Sequence, residues 1–335
     1  MKRLNILDKF LFFTNSLVAA LLIISYIIPY INPINYPSIA ILSLTYPSLL
    51  ILNLVFIILW IVKLKKQFLL SVIVIAIGFS HTKALFSFAK KEIKNKNDIT
   101  LISYNVRQFN RYKWIKDRNI KKDISNFINQ QQADIVCMQE FSNTKNISIK
   151  LTKAIEKKNQ SSGLVIYSNY PVVNSGSFDF KNTSNDIIYA DLKIDKKIIR
   201  IYNIHLQSFS LDTQKEHYGS KNNEALFLRF KDVFKKQSEQ ILQLKKHIKA
   251  CPYPTILAGD FNNTAFSWNY KQLMETHKDA FVEAGKGFGK SYDYFIPFRI
   301  DFILPSNNMA VNSFTSFSSK MSDHFPIMAR INLNN

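Results

Sequence analysis

The sequence predicts an α/β sandwich carried behind a membrane-inserted N-terminal segment, and three observations support that expectation. The first 88 of 335 residues hold three long apolar runs. The rest of the chain mixes short apolar strand patterns with helical periodicities, an order that suits a packed sandwich better than a repeating doubly wound sheet. Carboxylates, amides and histidines recur where the apolar strand patterns end.

Phe10–Ile31 and Ser38–Val62 are almost wholly apolar, and about 20 such residues cross a bilayer as a helix. Phe68–Phe88 is a third candidate, with the core FLLSVIVIAIGF followed by His81 and Lys83; an interfacial segment is its alternative. A second long span after the first argues against a cleaved signal peptide. Lys2 and Arg3 precede span one, the next loop is the uncharged NPINYP, and KLKKQ follows span two. Basic short loops stay cytoplasmic, so the N-terminus is expected inside and, after three crossings, the C-terminal domain outside. Lys90, Lys91, Lys94 and Lys96 pull mildly the other way. Residues 89–97 (AKKEIKNKN) read as a solvated charged linker, which divides the chain into a membrane part (1–88), this linker and a catalytic part (98–335).

Residues 1–88 hold seven of the 44 basic and one of the 24 acidic residues, which leaves 37 against 23, a net of +14, for the remainder. A basic domain suits nucleic acid or an anionic lipid surface. A general richness in Lys, Asn and Ile explains the same numbers without a partner. Cys137 and Cys251 each adjoin an apolar run and read as small buried residues, with no disulfide framework and no zinc spacing.

In the catalytic part, Thr100–Val106, Asp134–Met138, Gly163–Ser168 and Thr255–Ala258 read as buried strands. Ile187–Ile194 and Ile198–Leu206 flank a hairpin turn at Asp195–Lys197, and Arg299–Leu304 and Pro326–Ile331 are late strands. Arg118–Gln131 carries Ile120, Ile124, Phe127 and Ile128 on one helical face. A long helix follows with Leu226, Phe230, Val233, Ile241, Leu244 and Ile248 at helical spacing.

The strand ends carry the chemistry. Asn105 follows LISY, Glu140 follows DIVCMQ, and His205 sits in YNIHL. Asp260 and Asn262 lie in LAGDFN, Asp301 in RIDFI, and Asp323 and His324 in SDHFP. Four carboxylates with two histidines suit a hard divalent cation and proton transfer. Each residue alone has a plain structural role: a turn cap for Asn105 or Asp323, a surface acid for Glu140, a core histidine for His205, an Asx turn at Asp260–Asn262, an ion pair of Asp301 with Arg299 or Arg330. Their joint order is what points to a site. Arg107, two residues past Asn105, is expected on the same side of an extended strand, placed for phosphate, with an ordinary exposed arginine as the alternative.

The stretches SYNVRQFN, DIVCMQE, GLVIYSNYPV, IYNIHLQS, ILAGDFNNT, RIDFIL and SDHFPI resemble the endonuclease/exonuclease/phosphatase superfamily, which includes DNase I, apurinic endonucleases, neutral sphingomyelinases and inositol-phosphate phosphatases. PYPTILAGDFNNTAFSWNYKQL and KDAFVEAGKGFG look like a membrane-anchored bacterial branch of it. The resemblance implies a DNase I-like four-layer sandwich and Mg²⁺ or Mn²⁺. It implies Glu140 as principal metal ligand with Asn105 beside it and Asp323 on the metal side. Asp260 and Asn262 would place the attacking water and hold phosphate, Asp301 would orient His324, and His205 would donate to the phosphate or leaving oxygen. It leaves open whether Asp260 or His324 is the base. The expected partners are the lipid bilayer and a phosphoester substrate, nucleic acid or lipid; no protein partner is readable. A phosphodiesterase or endonuclease is the leading expectation, a phosphatase or sphingomyelinase-like enzyme the alternative, and a catalytically dead binding protein the least supported.

Overall fold

The computed structural model describes residues 4–88, 91–116, 118–142, 147–158, 162–209, 220–294 and 297–333. Lys2, Arg3, Lys90 and residues 210–219 lie outside them. The chain divides into two compact units. One comprises Met1–Leu85, His217–Ser238 and Ala265–Lys271, the other Phe86–Glu216, Glu239–Thr264 and Gln272–Asn335.

The first unit is built on apolar helices. α1 (Ile6–Ile27) continues in a 3-10 turn, and α2 (Pro37–Ala40) leads through a second 3-10 turn into α3 (Tyr46–Val62). Ile6–Tyr30 and Pro37–Val62 each have a mean hydropathy of 2.2 and are long enough to cross a membrane. The third apolar run is not one straight helix. α4 (Phe68–Ile77) and α5 (Phe79–Leu85) meet at a bend of 78° around Gly78, so two long spans are present, or three if the bent pair counts as one. Ten residues of α4 rise only about 15 Å, half a bilayer core. Gly78 stands at the bend, and the tip of the Tyr26 ring lies 2.1 Å from where a Cβ on residue 78 would stand, so a larger residue there would have to displace that ring.

Asp8 at the start of α1 pairs with Lys63 at the end of α3 at 2.8 Å, and Tyr26 near the end of α1 packs on Tyr46 at the start of α3, so the two helices run antiparallel. A buried polar chain ties α4 to both. Trp60 Nε1 donates to Asn15 Oδ1 (2.9 Å), Asn15 Nδ2 to Ser71 Oγ (2.7 Å), and Ser71 Oγ to Asn53 Oδ1 (2.8 Å). Buried among apolar helices, these groups have no water to turn to, so they partner one another.

The second unit is a two-sheet sandwich. Its strands are β1 (Asp98–Asn105), β2 (Ile135–Phe141), β3 (Thr152–Lys158), β4 (Gly163–Ser168), β5 (Val172–Ser177), β6 (Ile187–Ile194), β7 (Lys197–His205), β8 (Thr255–Asp260), β9 (Asp301–Pro305), β10 (Ala310–Ser316) and β11 (Ile327–Asn332). One sheet has the order β10-β11-β1-β2-β4-β3, the other β5-β6-β7-β8-β9. Each is antiparallel except for one central parallel pair, β1 with β2 and β7 with β8. Both sheets are therefore mixed, as an α/β sandwich requires.

Alternation decides which side chains meet between the sheets. Ile99, Leu101, Ile135, Cys137 and Ile166 of one sheet join Ile188, Ala190, Ile199, Ile201, Ile256, Ala258 and Ile303 of the other in a single core. The opposite parity, Ile102, Tyr104, Val136 and Met138, packs outward on Ile120, Ile124 and Ile128 of α7 (Ile120–Gln131). α7 starts two residues later than the periodicity suggested, because Asn119 caps its first turn. α6 (Arg107–Asn110) is a single distorted turn, α8 (Ser220–Lys249) the expected long helix, and α9 (Trp268–Leu273) and α10 (Ala280–Ala284) are short. The β6–β7 turn is two residues, Asp195–Lys196, since Ile194 already pairs with Lys197.

Residues 91–93 of the charged stretch do not run free. The backbone N–H of Lys91 donates to the Ala284 carbonyl and that of Ile93 to Asn312 (2.9 Å), and Lys91 Nζ reaches the Val311 carbonyl. Cys137 is fully buried, whereas Cys251, expected buried, is only partly so.

Candidate functional site

Asn105, His205, Asp260 and Asp301 share the parity of the inter-sheet core and stand at one end of β1, β7, β8 and β9. Across the second sheet His205 is the register partner of Asp260, and Asp260 of Asp301, so three polar side chains lie abreast. Gly259 permits this. Its φ is +150°, and a Cβ there would come within 2.0 Å of the Ile204 carbonyl oxygen.

Glu140 reaches the same end by a different route. Strict alternation from Ile135 and Cys137 would send it outward with Met138. The pairing of β2 with β4 slips between Met138 and Phe141, and Glu140 takes a left-handed φ of 49°. This bulge re-aims the side chain inward, a recurrent device beside functional sites. The neighbouring Gln139 is buried and clamps the sheets together: its Nε2 donates to Asn203 Oδ1 (2.7 Å) and to Ser103 Oγ (3.2 Å), while Asn203 Nδ2 donates to the Met138 and Val165 carbonyls (2.9 Å each). Neither residue figured in the sequence expectations. The available signal was a polar residue at inward parity within an apolar strand.

Asn105 joins the two sheets. Its Nδ2 donates to Asp260 Oδ2 (2.9 Å) and to Glu140 Oε1 (3.3 Å), and its Oδ1 accepts from the Arg107 backbone (3.0 Å). His324 Nδ1 lies 2.9 Å from Asp301 Oδ2, both side chains being buried. Asp260 Oδ2 is 3.7 Å from His205 Nε2 and 3.7 Å from His324 Nε2, beyond direct hydrogen bonding. His205 Nε2 and Asp301 Oδ1 are buried with no hydrogen-bond partner among the described residues. Asn262 closes an Asx turn, its N–H donating to Asp260 Oδ1 (2.8 Å), and its Nδ2 donates to the Leu206 carbonyl (3.0 Å).

Two expected residues stand further out. β1 ends at Asn105, so Arg107 is not on the strand as its spacing suggested. It lies in a left-handed turn (φ 40°), over the Trp114 ring at 4.0 Å, with its guanidinium 2.7 Å from Asp323 Oδ2. Asp323 is partly exposed and also accepts from Ser322 Oγ (3.1 Å).

Burial and crowding set the charges. Burial raises Asp260 to about 6, opposed by His324 and reinforced by Asp301. Burial, with the Asp323 charge, also raises Glu140, and burial lowers His205. His324 goes the other way: burial would lower it, but the carboxylates of Asp301 and Asp260 outweigh that and hold it well above its ordinary value. Opposed shifts within one cluster are a pattern that functional groups show. Asp260, Asp301 and His324 offer ligand atoms within 4.8 Å of one another, a set able to bind a divalent metal. Oxygen donors with one imidazole, and an Asp301 oxygen buried without a partner, fit such an ion.

A family model described as the endonuclease/exonuclease/phosphatase family matches residues 102–324. The chain belongs to the endonuclease/exonuclease/phosphatase family. It is thus a member of a family of phosphoester hydrolases, and every strand-end residue above falls inside the match. A second model, described as a domain of unknown function (DUF8431), matches residues 8–85, the segment of apolar helices. No curated protein sequence matches the chain. Among solved structures the chain is similar to an endonuclease/exonuclease/phosphatase from Bacteroides vulgatus, with a TM-score of 0.55 and 20% identity over 71% of this chain and 100% of that one. A family protein from Bacteroides thetaiotaomicron gives 0.54 and 17% over 72% and 100%. D. rerio TDP2 complexed with single strand DNA product gives 0.54 and 16% over 71% and 100%. At these identities the likeness is one of fold, the DNase I-like sandwich of the endonuclease/exonuclease/phosphatase family.

Proposed function

We propose that this protein is a membrane-anchored, divalent-metal-dependent phosphodiesterase that cleaves its substrate by in-line attack of water. In this reading residues 1–88 form the anchor, 89–97 the connection and 98–335 the catalytic domain. The observation that carries it is the convergence of Asn105, Glu140, His205, Asp260, Asp301 and His324 at one end of the two parallel strand pairs, with His324 held by Asp301 at 2.9 Å.

Glu140, with Asn105 and Asp323 beside it, would hold Mg²⁺ or Mn²⁺. Bound there, the cation would neutralise charge on the non-bridging oxygens of the scissile phosphate. Asp260 and Asn262 position the attacking water, Asp260 having the raised pKa of a proton acceptor that works near neutrality. Asp301 fixes the ring plane and tautomer of His324, which leaves Nε2, 3.7 Å from Asp260 Oδ2, to serve the phosphate or the attacking water. His205 donates to a phosphate or leaving oxygen, and its partnerless Nε2 supports that role. Arg107 approaches the phosphate from the rim, its planar guanidinium suited to two oxygens at once. A second metal placement, on Asp260, Asp301 and His324, rests on their 4.8 Å grouping.

The DNA product in the TDP2 structure supports a phosphodiester substrate, while the likeness to a mannosyl-6-phosphatase of Bacteroides thetaiotaomicron (TM-score 0.50, 17% identity, 70% of this chain and 99% of that one) keeps a phosphomonoester in play. For topology, the basic end of the helical unit at Asp8 and Lys63 supports a cytoplasmic N-terminus. Counting the bent pair as a third crossing then puts the catalytic domain on the extracytoplasmic side.

The test is a panel assay of the full chain in lipid nanodiscs with Mg²⁺, against DNA, RNA, sphingomyelin and inositol phosphates. Turnover of a diester is expected. Hydrolysis of monoesters alone would replace the phosphodiesterase with a phosphatase. Nucleic-acid binding that weakens steeply with salt would make the +14 charge functional.

A further inference from the structure

Phe86, Phe88 and Phe288 stand together on the catalytic unit. The Phe86 ring meets Phe88 and Phe288 edge-on, at 4.9 Å each between centroids. The two segments are locked by a backbone bridge. Ser87 N–H donates to the Gly287 carbonyl (2.9 Å), and Gly287 N–H donates back (2.8 Å). Gly287 and Gly289 have φ of 72° and 57°, conformations that glycine adopts freely, and they bracket Phe288 so that it projects from the turn. The outcome is a cluster of rings facing outward, Phe88 being 83% and Phe288 44% exposed.

Three further observations say what this cluster meets. Phe86 follows directly on Leu85, the last residue of the bent apolar pair, so Phe88 lies within about 10 Å of chain from it. Aromatic rings concentrate at bilayer interfaces, where an apolar body and a wet rim are both satisfied. Beside Phe288, Lys286, Lys290 and Lys320 line a cavity of ≈ 600 Å³ with Phe317, Phe325 and one acid, Asp293, which pairs with Lys290 at 3.1 Å, so the lining is apolar with a net positive charge. Anionic headgroups are the complement of such a lining.

We propose that Phe86, Phe88 and Phe288 form a wedge seated in the interface of an anionic bilayer, with Lys286 meeting the phospholipid headgroups. The wedge rests on the membrane-anchored reading and adds a second attachment 200 residues along the chain. From Gly287, five residues reach Tyr292, the bridge partner of His324, at most about 18 Å away. The wedge therefore keeps His324 near phosphoesters carried on the bilayer surface.

The test uses the full chain in vesicles of phosphatidylcholine and phosphatidylglycerol. Spin labels are placed by Phe88→Cys, Phe288→Cys and Lys286→Cys, with Val173→Cys on β5 as a water-exposed reference. Each carries Cys251→Ser, which leaves only the buried Cys137. Collision with oxygen relative to a water-soluble nickel chelate reports depth. The ratio at 88 and 288 is expected several-fold above that at 173, with 286 between them. If 88 reads as lipid-exposed while 286 and 288 match 173, the wedge is overturned and the anchor stands. If 88 also matches 173, the wedge is overturned, and an Ile58→Cys label on the exposed face of α3 decides the anchor separately: lipid-exposed, the anchor stands; matching 173, it falls too. Lys286→Cys keeps the measurement decisive should Phe288→Cys fail to fold.

Discussion

The contact of His324 with Asp301 admits a quantitative test. The 2.9 Å bond joins side chains that are 7% and 1% exposed, so the two groups bear on each other with little screening. Acid–base help is worth about 10²–10⁴ in rate, or about 3–5 kcal/mol of barrier. His324→Ala is therefore expected to lower kcat by two to four orders of magnitude. Asp301→Asn should lose a large part of the same factor, because the imidazole keeps its place but loses its orienting charge. The double variant should cost little more than the worse single, since the pair acts as one unit. The pH profile separates the possible roles. With Asp301 and Asp260 raising His324 well above its ordinary value, a base would give activity that rises with pH through that elevated pKa. A cationic phosphate binder would give activity that falls through it. In either case Asp301→Asn removes a raising charge and shifts the limb to lower pH. The assay is kcat/KM against pH on a soluble phosphodiester, with circular dichroism to confirm folding. Near-wild-type turnover in folded His324→Ala, or losses that simply multiply in the double variant, would refute the reasoning.

Chelation should abolish hydrolysis, with Mn²⁺ or Mg²⁺ restoring it; Mn²⁺ affinity that collapses in Glu140→Gln but survives in His324→Ala would place the ion on Glu140, and the reverse on the Asp260, Asp301 and His324 group. Gly259→Ala, whose Cβ would meet the Ile204 carbonyl at 2.0 Å, should destabilise the fold by about 3 kcal/mol or more and cut turnover by prying β7 from β8, read by urea unfolding beside kcat. Burial lowers His277 to about 4, between the hydroxyls of Thr255 and Thr276. A depressed folded pKa gives stability that is complete above the ordinary value near 6.5 and is lost as pH falls toward 4, about 3 kcal/mol in all; an unfolding midpoint that is level from pH 7 to 4.5 would contradict it. Alkaline phosphatase fused after Asn335 should be active if the catalytic domain is outside, and a fluorescent protein in its place dark.

The parts of the fold legible in the sequence were those whose residues are buried on both faces. β1, β2, β4, β7 and β8 read correctly because Leu101, Cys137, Ile166, Ile201 and Ile256 sit in unbroken apolar runs. The strands that escaped notice, β3, β5 and β10, are edges with charged or small polar residues such as TKAIEKK and VVNSGS, and an edge strand keeps such residues to resist further pairing. In the site, His205, Asp260 and Asp301 could be placed by counting along their strands. Glu140 could not, because a bulge breaks the count. Arg107 was misplaced because the chain leaves the strand at Asn105, two residues before it. The bend at Gly78, where the Tyr26 ring packs from 52 residues away, is a feature that hydropathy does not register.

The two parallel strand pairs have a consequence for how the site assembles. Asn105 and Glu140 belong to one sheet and His205, Asp260 and Asp301 to the other, and the bonds of Asn105 to Asp260 and of Gln139 to Asn203 form only when the layers close. Neither sheet alone owns a working constellation. A chain in which β9 has not yet joined β8 lacks Asp301 beside Asp260, and with it the carboxylate that holds His324, so the constellation is completed only by closure of both sheets.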